Sequence, residues 1–311
     1  MKDTVSIAIA TYNGEKYLRD QLDSLYSQTI IPDEIIVVDD CSNDATKDIL
    51  EEYNAKKGLR YIINENNLGV NKNFEKAIRS CKSEYIMICD QDDIWMPHKI
   101  ETSLNKIKAL EKNFKGPVCV SSQCYHIDAN GEIISRVRKI RKDNYSIYDN
   151  ILSPPGLTQG CTLIFNRKLF DILRNFPSEK ICLYDGYIGF VSASVGFKYN
   201  MAESLMYHRH HNSNVTASLT NTKTKALYKL SQYKYQLKQC FVPSIIPKQR
   251  FKTLELIYSE YSSIFTDEAK SLYQELNEFE KSNFSQKIYI LWHFKSLSIV
   301  KKICCTISQF F

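Results

Sequence analysis

The sequence predicts an α/β protein with a mostly parallel sheet flanked by helices, followed by a helical C-terminal extension. Three observations support this fold class. Short apolar runs rich in β-branched residues alternate with segments of helical spacing as far as Lys112. Acidic clusters directly follow two of these runs, at the ends of predicted parallel strands where such folds place their functional loops. Strand signals cease after Thr216, and the remaining sequence has a helical pattern.

The individual elements follow from this alternation. Each predicted strand is a mostly apolar run of three to six residues bounded by polar turn residues, and each predicted helix shows apolar residues three or four positions apart. The predicted strands are residues 5–10, 34–38, 61–63, 84–89 and 118–122. The predicted helices are residues 17–26, 45–53, 72–81 and 99–112. A turn at residues 128–131 (DANG) predicts a hairpin.

Length and composition are those of a globular chain. The 311 residues are 43% hydrophobic and 24% charged, which suits one large domain with an appendage. We predict a first domain at residues 1–220 and a helical region at residues 221–311. The net charge of +6 is not arranged as a Lys/Arg stripe with interleaved aromatic residues, so nucleic acid is not an expected partner.

Cysteine usage and hydropathy bear on location. The ten cysteines contain no CxxC pair, and a chain of this length does not need disulfides as staples, so we expect reduced thiols and a cytoplasmic protein. No uncharged apolar stretch of about 18 residues predicts a spanning helix. Residues 288–311 combine an apolar run with three lysines. This pattern suits either an amphipathic helix at the inner face of the plasma membrane or a helix packed against protein.

The first acidic cluster, Asp90, Asp92 and Asp93, places three carboxylates within four residues directly after an apolar strand. Their mutual repulsion and desolvation are costly unless a cation compensates them. Mg²⁺ and Mn²⁺ prefer oxygen ligands and are commonly shared with substrate phosphates. The cluster therefore indicates either a metal bridge to a diphosphate or a solvated acidic turn before the next helix.

The second acidic pair, Asp39 and Asp40, ends another strand of the same predicted sheet. A carboxylate in that position accepts hydrogen bonds from a ribose hydroxyl or a base N–H in nucleotide-binding folds. A pair of helix N-cap residues is the alternative. The placement of both clusters at strand ends of one sheet favours a nucleotide site.

With these clusters, the first half of the chain resembles the catalytic domain of the family 2 glycosyltransferases, which share the GT-A fold. The motifs that carry the resemblance stand in the family's order over about the first 100 residues. They are residues 5–13 (VSIAIATYN), 24–29 (SLYSQT), 34–42 (EIIVVDDCS) with Asp44, 66–69 (NNLG) with Asn73, and 90–95 (DQDDIW).

The resemblance implies a site. The expected contacts to the nucleotide sugar are Thr11, Tyr12, Asn13, Asp39, Asp40, Lys72, Asp90, Asp93 and Arg209. Asp90 and Asp92 correspond to the family's DxD element, in which Asp92 would hold Mn²⁺ or Mg²⁺. Residues 207–214 (YHRHHNSN) are similar to a segment that closes over the donor diphosphate, which implies Arg209 at the phosphate and His210 at the metal.

The acceptor side is implied by the same resemblance. Residues 160–165 (GCTLIF) are similar to a strand beside the acceptor, and Asp185 is similar to the family's general base. An inverting transfer needs one carboxylate to take the acceptor proton, and Asp185 can do so. The family usually places another acid or a histidine before this residue, whereas this chain has Tyr184. A helix cap for residues 186–194 is the alternative role of Asp185.

These residues predict an inverting, metal-dependent glycosyltransferase acting on a glycan or lipid-linked glycan in polysaccharide biosynthesis. Residues 90–97 (DQDDIWMP) resemble rhamnosyltransferase-like enzymes of bacterial surface polysaccharides, which favours a dTDP-rhamnose or UDP-hexose donor. A scaffold subunit that binds nucleotide sugar without turnover is one alternative. A sugar-nucleotidyltransferase is a weaker one, since residues 11–15 (TYNGE) lack its Gly- and Arg-rich phosphate loop.

Overall fold

The computed structural model describes residues 3–135, 158–173, 176–181, 183–211 and 248–281. Contacts within the chain define two compact units, one of residues 1–145 and 154–210 and the other of residues 146–153 and 211–311. The domain boundary predicted at residue 220 and the amphipathic segment predicted at residues 288–311 lie outside the described residues and stay predictions. None of the helices in the described ranges has the length and apolar character of a membrane span.

The first unit is built on one mixed sheet. Its described strands are β1 (Val5–Thr11), β2 (Glu34–Asp39), β3 (Arg60–Ile63), β4 (Tyr85–Cys89), β5 (Ile94–Trp95), β6 (Val118–Ile127), β7 (Ile133–Ser135), β8 (Leu163–Asn166) and β9 (Phe197–Arg209). They are ordered β3-β2-β1-β4-β8-β6-β9-β5, with β7 paired to β6. The described helices of this unit are α1 (Leu18–Tyr26), α2 (Thr46–Lys57), α3 (Val70–Arg79), α4 (Lys99–Asn113), α5 (Arg167–Leu173) and α6 (Tyr184–Val195).

The first four strands are parallel, as the alternating pattern predicts. In the register of β1 with β2, Thr11 stands opposite Asp39, and Ile9 stands opposite Cys89 of β4. The central strands are mostly apolar and buried, as in parallel sheets whose two faces are both covered by helices. This register brings the loops after β1, β2 and β4 to one edge of the sheet.

The second half of the sheet departs from the simple alternation. β8 runs antiparallel to β4 and β6, whereas β9 runs parallel to β6. The end of β9 also pairs with the short strand β5, so Tyr207 lies opposite Ile94. Neither β5 nor β9 is predicted from the sequence, because β5 has only two residues and β9 carries charged residues along its length. Their pairing places the histidine-rich segment beside the acidic cluster.

The described part of the second unit is helical, as predicted for this part of the chain. Its elements are α7 (Lys248–Tyr261), a 3-10 turn (Ser262–Ile264) and α8 (Asp267–Lys281). Tyr258, Phe265 and Tyr273 form an aromatic cluster with ring centroids 4.8–5.9 Å apart. Aromatic pairs at such distances stabilise packing beyond the area they bury.

Candidate active site

The loops after β1 and β2 are joined by hydrogen bonds. The backbone N–H of Asn13 donates to Ser42 Oγ at 2.8 Å, and the N–H of Asn43 donates to Asn13 Oδ1 at 3.0 Å. The N–H of Gly14 donates to Thr46 Oγ1 at 2.8 Å. Asn13 has a positive φ of 49°, which Asn tolerates better than most residues. The predicted nucleoside contact Asn13 therefore helps to hold the loop.

Gln91, within the first acidic cluster, holds the other end of the same loop. Its Oε1 accepts the Thr11 hydroxyl at 2.6 Å and the Tyr12 N–H at 2.8 Å, and its Nε2 donates to the Tyr12 carbonyl. A Cβ on Gly14 would lie 2.6 Å from this oxygen, so glycine leaves room for the amide. The Tyr12 side chain is 46% exposed, available to stack on a base. Sequence reasoning did not identify Gln91.

Asp39 and Asp40 have different surroundings. Asp39 accepts the N–H and hydroxyl of Ser42, and burial raises the pKa of its carboxyl. Asp40 accepts Asn64 Nδ2 at 2.9 Å and the N–H groups of Leu68 and Gly69, both at 2.8 Å. Both oxygens of Asp40 are thereby used to anchor residues 64–69. The structure brings both residues to the predicted edge and assigns Asp40 a positioning role there.

Lys72 does not contact the other predicted donor residues. Its Nζ forms an ion pair with Glu179 Oε1 at 2.6 Å, and both side chains are exposed to solvent. It lines an open groove between α3 and residues 176–180. The predicted contact of Lys72 to the nucleotide stays a prediction.

The first acidic cluster is packed against the end of β9. Asp93 is fully buried, and its Oδ1 accepts His208 Nδ1 at 2.9 Å and the Arg209 N–H at 3.0 Å. Burial alone would raise the pKa of Asp93, but the charge and hydrogen bond of His208 lower it below its ordinary value. Burial would likewise lower the pKa of His208, and Asp93 raises it to about 9. Asp93 and His208 therefore form a buried ion pair.

Asp90 and Asp92 stand at the same cluster. Asp92 is buried and Asp90 is partly buried. Burial, followed by the charges of Asp93 and Asp92, raises the pKa of Asp90 to about 8. This shift means that the positive charge of His208 does not offset burial and the two neighbouring carboxylates at Asp90. Two carboxylates at the end of a parallel strand fit a hard divalent cation such as Mn²⁺ or Mg²⁺, with oxygen ligands completed by water and phosphate.

Arg209 has an unexpected set of partners. Its Nε donates to the Asp92 carbonyl at 2.9 Å, and its guanidinium lies 4.6 Å from the Tyr17 ring centroid and 3.3 Å from Asp20 Oδ2. The side chain is buried. These contacts hold the backbone of the acidic cluster, so the structure assigns Arg209 a positioning role. Its predicted contact to the donor phosphate stays a prediction.

His208 contacts Asp93 of the acidic cluster, and the predicted metal contact of His210 stays a prediction. His210 Nε2 lies 2.7 Å from Nδ1 of His126, a residue of β6. The ring centroid of His210 lies 5.0 Å from that of His208. Burial and the neighbouring charge of His208 lower the pKa of His126 to about 4. Sequence reasoning missed His126 because its contact depends on the register of β6 with β9.

Asp185 lies in the first turn of α6, beside a tyrosine that reaches the acidic cluster. Burial raises the pKa of Asp185 to about 6. Its Oδ1 accepts the N–H of Gly186 at 2.6 Å, so a local capping contact accompanies the predicted role. The hydroxyl of Tyr184 donates to Asp90 Oδ1 at 3.4 Å, and the Tyr184 ring stacks on Phe74 at 3.9 Å. α6 thus connects the candidate base to the acidic cluster.

The comparisons with known proteins agree with this geometry. The sequence profile of glycosyl transferase family 2 matches residues 6–173. An uncharacterized glycosyltransferase of Rickettsia typhi is 32% identical over 231 residues, covering 74% of this chain and 69% of that protein. The chain belongs to glycosyl transferase family 2. This result confirms the resemblance found in the sequence.

Two further comparisons refine the relationship. The dTDP-rhamnosyl transferase RfbG of Shigella flexneri is 27% identical over 237 residues, covering 71% of this chain and 77% of RfbG. The crystal structure of S. aureus TarS 1-349 in complex with UDP-GlcNAc superposes with a TM-score of 0.54 at 19% identity, covering 93% of this chain and 78% of that one. The predicted GT-A-type α/β fold is confirmed. The chain spans about a third (34%) of the length of its mycobacterial relatives, which are 36% identical over 119 residues.

Proposed function

We propose that the chain is an inverting, divalent-metal-dependent glycosyltransferase that moves a sugar from a nucleotide-diphosphate donor onto a glycan acceptor. One observation carries the proposal. The acidic cluster after β4 contacts both the loop after β1, through Gln91, and the start of α6, through Tyr184. A candidate donor site and a candidate base therefore share one sheet edge, as a single-displacement transfer requires.

The donor half of the proposal rests on the joined loops. Tyr12 presents an exposed ring, and the neighbouring Thr11 donates its hydroxyl hydrogen bond to Gln91. Asp39 lies opposite Thr11 in the sheet register and supplies a carboxylate for a ribose hydroxyl or base N–H. Asp40, the next residue, anchors residues 64–69. We assign Thr11, Tyr12, Asn13 and Asp39 to the nucleoside.

Asp90 and Asp92 would hold Mn²⁺ or Mg²⁺ together with the donor diphosphate, and such an ion stabilises negative charge on a departing diphosphate. Asp93 and His208 form a buried ion pair that holds one end of the acidic cluster. Arg209 holds the same cluster through its hydrogen bond to the Asp92 carbonyl. Preorganised groups of this kind cost no reorganisation during the reaction.

Asp185 would accept the proton of the acceptor hydroxyl as that oxygen attacks the anomeric carbon. Its pKa of about 6 leaves it ionised at neutral pH, yet closer to the operating range than an ordinary Asp. Attack from the face opposite the leaving diphosphate inverts the anomeric configuration in one step. The nucleoside diphosphate then leaves and the new glycosidic bond remains.

The donor and acceptor are proposed from the relatives. RfbG is named a dTDP-rhamnosyl transferase, and TarS was crystallised with UDP and UDP-GlcNAc. A dTDP-rhamnose or UDP-hexose donor is consistent with both. We propose a glycan or lipid-linked glycan acceptor in polysaccharide biosynthesis, with the C-terminal residues 288–311 as a peripheral contact to the inner face of the plasma membrane.

The test is a panel assay on the full chain. Purified protein is incubated with dTDP-rhamnose, UDP-glucose and UDP-GlcNAc in the presence of Mn²⁺, Mg²⁺ or EDTA, and release of the nucleoside diphosphate is measured with and without glycan acceptors. Asp92→Asn should abolish metal-dependent release. Asp171→Asn is the matched control, since Asp171 is an exposed carboxylate on α5.

A separate binding measurement distinguishes the alternatives. Isothermal titration with each nucleoside diphosphate should show metal-dependent binding that Asp185→Asn retains, because Asp185 acts on the acceptor. Binding without turnover for every donor and acceptor tested would favour a scaffold subunit. Absence of metal-dependent binding for all nucleotides would refute the proposed donor site.

A further inference from the structure

Two side chains that a hard-cation site does not require, Cys161 and His208, lie beside the acidic cluster. Among the described residues, Asp90, Asp93, Cys161 and His208 each offer one ligand atom, and these four atoms all lie within 4.8 Å of one another. Asp90 and Asp93 follow β4, Cys161 lies in the 3-10 turn before β8, and His208 lies near the end of β9. Mg²⁺ and Mn²⁺ prefer oxygen, whereas thiolate and imidazole together favour ions such as Zn²⁺ and Cd²⁺.

We propose that Asp90, Asp93, Cys161 and His208 form a binding site for a thiophilic divalent ion such as Zn²⁺. Occupation of this site excludes the Mn²⁺ or Mg²⁺ of the proposed function, because Asp90 belongs to both ligand sets. The two sites differ in chemistry, since only the thiophilic site uses the sulfur of Cys161. Zn²⁺ would then act as an inhibitor that competes with the hard cation.

The spacing of one ligand pair, Asp93 and His208, is close to that of a tetrahedral site. Bonds of about 2.0–2.2 Å place neighbouring oxygen and nitrogen ligands about 3.3–3.6 Å apart in a tetrahedral site. Asp93 Oδ1 and His208 Nδ1 are 2.9 Å apart. An ion that replaces the proton between them therefore moves these two atoms apart by less than about 1 Å. The fourth ligand, Asp90, is partly buried.

A second observation points into the same cluster. The other oxygen of Asp93, Oδ2, is buried and receives no N–H or O–H donor from the described residues. The neighbouring group is the buried thiol of Cys161. A buried carboxylate oxygen without such a donor is costly, and a cation held by both oxygens of Asp93 beside the sulfur would satisfy it.

Charge balance favours the ion once the thiol is deprotonated. Binding forms an ion–sulfur bond, and the thiol proton of Cys161 and the Nδ1 proton of His208 pass to solvent. Two carboxylates and a thiolate then carry three negative charges. A divalent ion and the ammonium of Lys99, which donates to the Cys161 carbonyl at 3.0 Å, carry three positive charges. The ion, its charged ligands and Lys99 are therefore neutral as a set.

Cadmium provides a direct test because a cadmium–thiolate bond absorbs in the ultraviolet. The full chain, carrying Cys41→Ser to remove the one exposed thiol among the described residues and serine at Cys182, Cys240, Cys304 and Cys305 outside them, is titrated with Cd²⁺ while this charge-transfer band and proton release are recorded. We expect one tight equivalent whose band is lost in Cys161→Ser. Its affinity should fall at least about tenfold in His208→Gln, as expected for removal of a ligand. Cys124→Ser is the matched control, since Cys124 is equally buried but outside the cluster.

Competition separates this proposal from the proposed function. Bound Mn²⁺, followed by electron paramagnetic resonance, should be displaced by one equivalent of Cd²⁺ in the same serine-substituted chain and resist displacement when Cys161→Ser is added. A cadmium band that survives in a folded Cys161→Ser chain, or equal displacement in both chains, would overturn the thiophilic site. Circular dichroism establishes folding, and Cys161→Ala repeats the test if serine disrupts the core. Neither readout needs a donor sugar or turnover.

Discussion

Replacing Asp40 with Asn should loosen residues 64–69 without altering the shape of the side chain. The carboxylate accepts three hydrogen bonds, from Asn64 Nδ2 and from the backbone N–H groups of Leu68 and Gly69. In Asp40→Asn the amide nitrogen takes the place of Oδ2, so it faces the Gly69 N–H as a second donor. One charge-assisted bond is lost and the remaining two become ordinary hydrogen bonds.

The magnitude follows from the bonds lost. A hydrogen bond to a charged group contributes about 1.5–3 kcal/mol, and Gly69 is partly exposed, so water compensates part of the loss. We expect the local free energy of opening to fall by about 2 kcal/mol. That difference corresponds to roughly 30-fold faster exchange of the Leu68 and Gly69 amides. Hydrogen–deuterium exchange with mass spectrometry on peptides covering residues 64–70 measures it directly.

Asp128 provides the matched control. Its Oδ1 accepts the backbone N–H groups of Asn130 and Glu132 in a surface turn. Asp128→Asn keeps that oxygen as an amide carbonyl, so we expect a change within about 0.5 kcal/mol. Unchanged exchange at residues 64–70 in Asp40→Asn, or an equal effect of both variants, would refute the anchoring role of Asp40.

Three other predictions concern α6 and its surroundings. Because burial raises the pKa of Asp185 to about 6, kcat should fall as the carboxylate protonates below about pH 6. Asp185→Asn should lower kcat by about 10²- to 10⁴-fold and remove this pH dependence. A wild-type kcat that does not change with pH would contradict the prediction. Tyr184→Phe should raise the Mn²⁺ concentration needed for half-maximal activity. Tyr85→Phe, which loses a hydroxyl hydrogen bond to a carboxylate outside the site, should leave that concentration unchanged. Equal Mn²⁺ dependence in the two variants would exclude a role of Tyr184 in positioning Asp90. A Cβ on Gly160 would lie 2.1 Å from the Tyr184 hydroxyl, whereas one on Gly186 would meet nothing within 4 Å. Gly160→Ala should therefore lower both the melting temperature and the activity, and Gly186→Ala should preserve the fold; matching melting temperatures would contradict the clash.

The parallel half of the fold is predictable from sequence because its signals are local. β1, β2 and β4 are continuous apolar runs, and each ends at a polar cluster that a parallel sheet brings to one edge. The same reasoning predicts that Asp39 and the first acidic cluster lie near Thr11. The sequence does not predict that Gln91 binds the Tyr12 backbone, because nothing in the local sequence distinguishes this amide from the three acids around it.

The side-chain directions in the histidine segment cannot be predicted from sequence alone, because they depend on where β9 lies in the sheet. Residues of a strand alternate between its two faces, so His208 and His210 share one face and Arg209 takes the other. The register pairs His208 with His126, which no local pattern in the sequence indicates. The resemblance alone implies His210 at the metal and Arg209 at the phosphate, and both contacts stay predictions. The structure shows His208 at Asp93 and Arg209 buried against Tyr17.

Tyr184 explains how the site accommodates a departure from the family's pattern. An acid at this position would bring another negative charge to Asp90, whose pKa is already raised to about 8 by burial and two neighbouring carboxylates. Like charges at such short range disfavour ionisation further. A phenol supplies a neutral donor to Asp90 and a ring that stacks on Phe74. Asp185 thereby remains the carboxylate that α6 contributes, which leaves a single candidate for the general base on that helix.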